Sequence, residues 1–146
     1  MMFIQKIINQ MTTQHWVYYP IAILLTSVFW ISGLTKILHF DVAMAEMAHF
    51  NLQPAALFVS MTILVQLLGS LLVILGGRWI WLGAGALSIF TLATIPIAHR
   101  FWEMPAEQGA LDLALVQEHF SLIGGLVFAV IVAEFYKRKN SPNYKT

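Results

Sequence analysis

Ser32, Lys36 and His39 stand four and three residues apart, a spacing that places them on one face of a helix running that far. His99, Arg100 and Glu103 follow another apolar stretch, with Phe101 and Trp102 between them, and Glu118 and His119 precede a further one. His49 lies in a more polar segment between the first two apolar stretches. These side chains supply hydrogen bonds: lysine and arginine donate to an anion or a carbonyl oxygen, and histidine can donate or accept. Converging at one depth, they would form a polar pocket rimmed by Phe101 and Trp102, best suited to a small anion or a quinone carbonyl. The competing reading is that Lys36 and Arg100 snorkel to lipid phosphates while the acids keep loops hydrated.

Other chemistries are poorly supplied. His99 and His119 lack the HxxxH-type spacing of a metal or bis-histidine heme site, so neither heme nor metal is expected. The chain has no cysteine, which excludes thiol–disulfide chemistry, thiolate metal sites and covalent heme attachment within it. No nucleophile–base pair or phosphate loop is present, so the chain is not expected to be an enzyme on its own. The one basic run, Lys137–Lys139, directly follows an apolar segment and suits anionic headgroups rather than nucleic acid. Gln66 is a separate point of interest, an amide at the centre of an apolar stretch. Thr91 or Ser27 is its expected partner, and an interhelical bond of about 0.6–2 kcal/mol makes structural glue its leading role, with ligand contact second.

The elements that position these groups follow from composition. The 146 residues are 59% hydrophobic and 10% charged, with a mean hydropathy of +0.75. A soluble domain carries roughly 25% charged residues, so lipid rather than a protein core must cover this surface. Four apolar blocks, at residues 18–36, 57–76, 79–98 and 120–136, are each long enough for a membrane span. They leave room for a single membrane domain. Between the first two, Phe40, Met44, Met47 and Phe50 make an apolar stripe opposite Asp41, Glu46 and His49, the pattern of a short surface helix. Gly76-Gly77-Arg78 predicts a tight turn, and Pro96 should kink or end the third block. The segment 103–118 is expected as the longest and most acidic connector, with 110–117 able to lengthen the fourth helix. Phe3, Ile4, Ile7, Ile8 and Met11 have the spacing of an interfacial lead-in helix.

Small residues Ser121, Gly125, Ala129 and Ala133 recur every fourth position in block four and allow close helix packing. The expected fold class is therefore all-α, an antiparallel four-helix transmembrane bundle with a short amphipathic surface helix between helices one and two. Charges are sorted by side. Lys6, Arg78, Lys137, Arg138, Lys139 and Lys145 share one face with only Glu134. Lys36 and Arg100 share the other with the six remaining acids. Basic loops stay inside, so both termini are expected in the cytoplasm.

Taken together, Ser32-Gly33-Leu34-Thr35-Lys36, the Gly69…Gly76 pattern, His99-Arg100-Phe101-Trp102 and the Gly124-Gly125 pair resemble the DoxX family of small four-helix membrane proteins. The likeness covers about residues 18–135. Members commonly have a glutamate where this chain has Gln66, and an asparagine where it has His119. The first departure removes an intramembrane acid and the second adds an ionisable group to the outer cluster. The resemblance implies a multi-pass protein of a bacterial inner membrane, with relatives that look like membrane subunits of quinone-reducing or oxidative-stress assemblies. An accessory subunit is expected, binding a quinone-like or other small amphipathic ligand through Lys36, His39, His99, Arg100, Trp102, Glu118 and His119, and supporting a redox protein partner. The alternative is an interaction or assembly protein without a ligand site, its small-residue stripe facing a partner or a second copy in a homo-oligomer.

Overall fold

The computed structural model describes residues 15–139; the lead-in segment expected over residues 3–11 lies outside them. Six α-helices make up most of this stretch: α1 (His15–Leu25), α2 (Ser27–Leu38), α3 (Phe40–His49), α4 (Ala55–Leu75), α5 (Ile80–Ala98) and α6 (Ala106–Lys139). Single 3-10 turns at Gly77–Trp79 and Phe101–Glu103 precede α5 and follow it. No strand occurs among the described residues.

Three helical segments, Ala55–Leu75, Gly77–Glu103 and Ala106–Phe135, are long and apolar enough to cross a bilayer. A fourth, Val17–Leu25 with Ser27–Leu38, qualifies only as a pair bent by 60°. The single first helix expected over 18–36 is therefore corrected to a broken pair. Side chains cause the break. Thr26 is fully buried, and its hydroxyl donates to the Ala22 carbonyl at 2.8 Å. The Trp30 indole N–H takes the Ile23 carbonyl at 3.1 Å. The Ala22 carbonyl also keeps its backbone bond from the Thr26 N–H at 3.1 Å, so the indole on the Ile23 carbonyl is the side-chain donor inserted into the i→i−4 ladder, one cause of a sharp kink.

Packing is tightest near the α4–α5 turn. Gly76 and Gly77 both have positive φ there, 66° and 69°, which an L side chain adopts at a cost. The backbones of α4 and α5 then touch: a Cβ on Gly83 would lie 2.6 Å from the Gly69 carbonyl oxygen. Val73, Ala84, Leu87, Leu126 and Phe29 form the adjoining core. The Tyr18 hydroxyl ties α1 to this end by donating to the Val73 carbonyl. Small residues suit such contacts because helices in lipid associate through close packing rather than a hydrophobic drive.

The other end is looser, and α3 folds over it. Ala43 and Met47 are buried against Val59 of α4, with Phe40 and Met44 alongside, while Asp41, Glu46 and His49 stay exposed as the amphipathic stripe requires. The allowance that 110–117 lengthens the fourth helix holds, and the acidic connector is shorter still than expected: α6 begins at Ala106 and runs unbroken for 34 residues. Glu107 in its first turn complements the helix dipole. Gly109 is buried, and a Cβ there would meet the Phe101 carbonyl at 2.8 Å, so the early turns pack against the Phe101–Glu103 turn. This extra length carries Asp112 into the protein.

Candidate functional site

Away from the tightly packed end the helices spread around a cavity of about 810 Å³. That volume falls within the range of small-molecule sites. Its apolar walls include Leu25 and Phe29 from α1 and α2, Phe58 and Val65 from α4, Phe90 from α5 and Leu122 from α6. Polar groups reach it from five helices.

One polar row runs along α2, α3 and α4. Lys36 Nζ lies 3.2 Å from a Glu46 carboxylate oxygen and donates to Ser32 Oγ at 3.4 Å. Gln66 Nε2 donates to the same oxygen at 3.3 Å. Ser32, rather than Thr91 or Ser27, is thus the partner of this amide, which corrects the expectation. Thr91 instead donates to its own helix, at the Leu87 carbonyl. Gln66 is 5% exposed, and its Oε1 has no partner although the residue lines the cavity.

A second group comes from α5 and α6. His99 Nδ1 lies 2.8 Å from Asp112 Oδ1, and the pair is mostly buried, with side chains 19% and 13% exposed. A carboxylate only accepts, so Nδ1 carries the proton and Nε2 is left for other contacts. His119 stands edge-on to His99 with ring centroids 4.8 Å apart. Its Nδ1 donates to the Leu115 carbonyl at 2.7 Å, which again leaves Nε2 unengaged in that bond. The neighbouring chain turns thus fix both rings by one nitrogen each.

Of the residues singled out from sequence, Lys36, Gln66, His99, Glu118 and His119 line the cavity. His39, Arg100 and Trp102 do not. Arg100 pairs with Glu103 at 3.1 Å with both side chains about half exposed. Trp102 is exposed and stands edge-on to Phe101, and His39 is exposed at the α2–α3 junction. Two residues were missed. Glu46 arrives because α3 folds back beside Lys36. Asp112 precedes Val116 and His119 by four and seven positions, a helical spacing that becomes visible once the acidic connector is read as helix.

The charge inventory narrows the chemistry. Among the described residues, Lys36 is the only lysine or arginine lining the cavity, and it is paired with Glu46. Glu118 also lines the cavity, and Asp112 backs His99. A free anion would meet more carboxylate than ammonium. A neutral head with carbonyl or hydroxyl oxygens suits the donors and acceptors better. No group of three or more His, Cys, Asp or Glu placed to hold a metal occurs among the described residues.

A family model described as DoxX matches residues 21–100. The match takes in Lys36, Gln66 and His99 and stops short of Asp112, Glu118 and His119. No curated protein and no solved structure gives a match.

Proposed function

Starting from the fact that the chain belongs to the DoxX family, we propose that it is an accessory subunit of a bacterial inner membrane that holds a quinone-like ligand beside a redox partner. The observation that carries this reading is the cavity: largely apolar walls, about 810 Å³ in volume, with Lys36, Gln66, His99 and His119 converging on it. A few placed polar groups in an apolar concavity are what orient a ring bearing oxygen atoms. Lys36 donates to one oxygen, the free nitrogens of His99 and His119 engage another, and the aromatic and branched side chains cover the ring. The expectation of a redox partner comes from the family resemblance.

Binding of a chain-bearing benzoquinone to the purified protein in lipid nanodiscs, followed by calorimetry, tests the reading. Lys36→Met should weaken it about tenfold, the worth of roughly 1.4 kcal/mol, while Arg100→Ala, outside the cavity, should leave it within about twofold. Absence of binding to the unaltered protein, or equal losses in the two variants, would reject the site. The assembly-protein alternative is less well supported, because Gly125 of the small-residue stripe faces inward: a Cβ there would meet Leu25 at 3.0 Å.

The bent α1–α2 pair counted as one span, with α4, α5 and α6, makes an antiparallel four-helix transmembrane bundle in a single membrane domain. Arg78 and the Lys137–Lys139 run then lie on the cytoplasmic side with both termini, and the cavity mouth faces the outer leaflet. Small tags on the two ends should both be shielded from an impermeant reagent in intact cells. A tag reacting from outside at either end would overturn this topology.

A further inference from the structure

The break in the first span does more than bend it. At the bend α1 stays with α6, its Leu25 meeting Gly125, whereas α2 turns away to pack on α4 and α3. Beyond Phe29, which shares a core cluster with Leu126, no comparable packing joins α2 to α6 among the described residues. The cavity wall is therefore incomplete along this seam. Leu24 and Val28 flank the bend, are 74% and 55% exposed, and line the cavity at the same time. Leu122, on the α6 side, is only partly buried and lines it too. A residue that faces both the cavity and the outside marks a place where the two are continuous. Thr26 lies near the middle of the Val17–Leu38 path, so the seam meets acyl chains and not headgroups or water.

We propose that the cavity is loaded sideways from the bilayer, through the seam between α2 and α6, and that its ligand is a neutral oxygen-bearing head on a long hydrocarbon chain. The head sits between Lys36 and His99, and the chain leaves past Val28 and Leu122 into the outer half of the membrane. A charged or chainless compound has no reason to concentrate at such an opening. The apolar seam complements a chain as the cavity's polar end complements a head. This inference rests on the cavity being a quinone-like site, and it assigns the path and the chain-bearing class of ligand that takes it.

The test fills the seam from its exposed side. Two benzoquinones serve as probes, one bearing a decyl chain and one without a chain, with the whole protein in nanodiscs. Leu24→Trp and Val28→Trp should each slow association of the decyl compound roughly tenfold, as expected when binding must wait for an obstruction to clear. The chainless compound has no chain to thread through the seam and should bind both variants as it binds the unaltered protein. Ile89→Trp, at a position 69% exposed and away from the cavity, controls for an added surface indole. Equal slowing of both probes, or no slowing of either, would overturn the lateral path while leaving the cavity site standing. Failure of both probes to bind the unaltered protein would overturn the site and the path together.

Discussion

Gly83→Ala loses about 3 kcal/mol of stability, at the upper end of what a forced extra methyl group costs in a tight interior, while Gly85→Ala on the same helix stays within about 0.5 kcal/mol, as substitutions without new contacts do. The difference comes from what the new Cβ meets. At Gly83 it would lie 2.6 Å from the Gly69 carbonyl oxygen, 2.7 Å from Leu72 Cβ and 3.1 Å from the Val73 amide nitrogen. None of these can rotate aside, so α4 and α5 must separate where the bundle is tightest. At Gly85 the new atom meets nothing within 4 Å. Gly69→Ala falls between them, because its nearest neighbour is the end of the Leu87 side chain at 2.8 Å, and that leucine is itself fully buried. Unfolding in mixed micelles with increasing denaturing detergent gives the order directly. Indistinguishable midpoints for Gly83→Ala and Gly85→Ala would show that α4 and α5 do not meet as described.

Asp112→Ala is expected to weaken ligand binding about tenfold, a difference of roughly 1.4 kcal/mol, even though its carboxylate is not among the groups lining the cavity. It acts through His99. With the carboxylate gone, the Nδ1 proton has no partner in a largely buried place, a state that costs about 1–3 kcal/mol. The ring then turns to find another acceptor, and Nε2 leaves its position. Asp112→Asn retains an acceptor oxygen and should keep most of the affinity. The double variant Asp112→Ala, His99→Leu should recover stability relative to Asp112→Ala, because removing both members of a polar pair leaves nothing unsatisfied. It should not recover binding. A double variant no more stable than Asp112→Ala alone would mean that the His99–Asp112 bond is not what holds this region together. Stability from detergent unfolding and affinity from calorimetry separate the two effects.

The Gly83 and Asp112 expectations differ in how far they could be read from the chain alone. Gly83 and its neighbours stand out as small residues in an apolar block, and the need for close backbone approach in lipid already gives them a purpose. Their partner does not stand out, since Gly69, Ser70, Gly83 and Ala84 could each face several helices. Asp112 was hidden for a different reason. Acids between two apolar blocks look like a hydrated loop until helix continuity places Asp112, Val116 and His119 on one face. Similar reasoning applies to Glu46, whose meeting with Lys36 depends on the fold-back at His39.

Sequence alone determined the apolar segments, the amphipathic α3 and the tight Gly76-Gly77 turn, because each depends on local composition: lipid demands long apolar runs and positive φ favours glycine. It also brought Lys36, His99 and His119 under suspicion, since ionisable side chains beside apolar runs are few. Tertiary structure decided which of them meet. His99 and Arg100 are adjacent, and only the docking of α5 on α6 turned the histidine to Asp112 and left the arginine with Glu103. The break at Thr26 was also its decision. A threonine satisfies hydropathy equally in a straight or a bent span, and the bend depends on where its hydroxyl and the Trp30 indole find carbonyls.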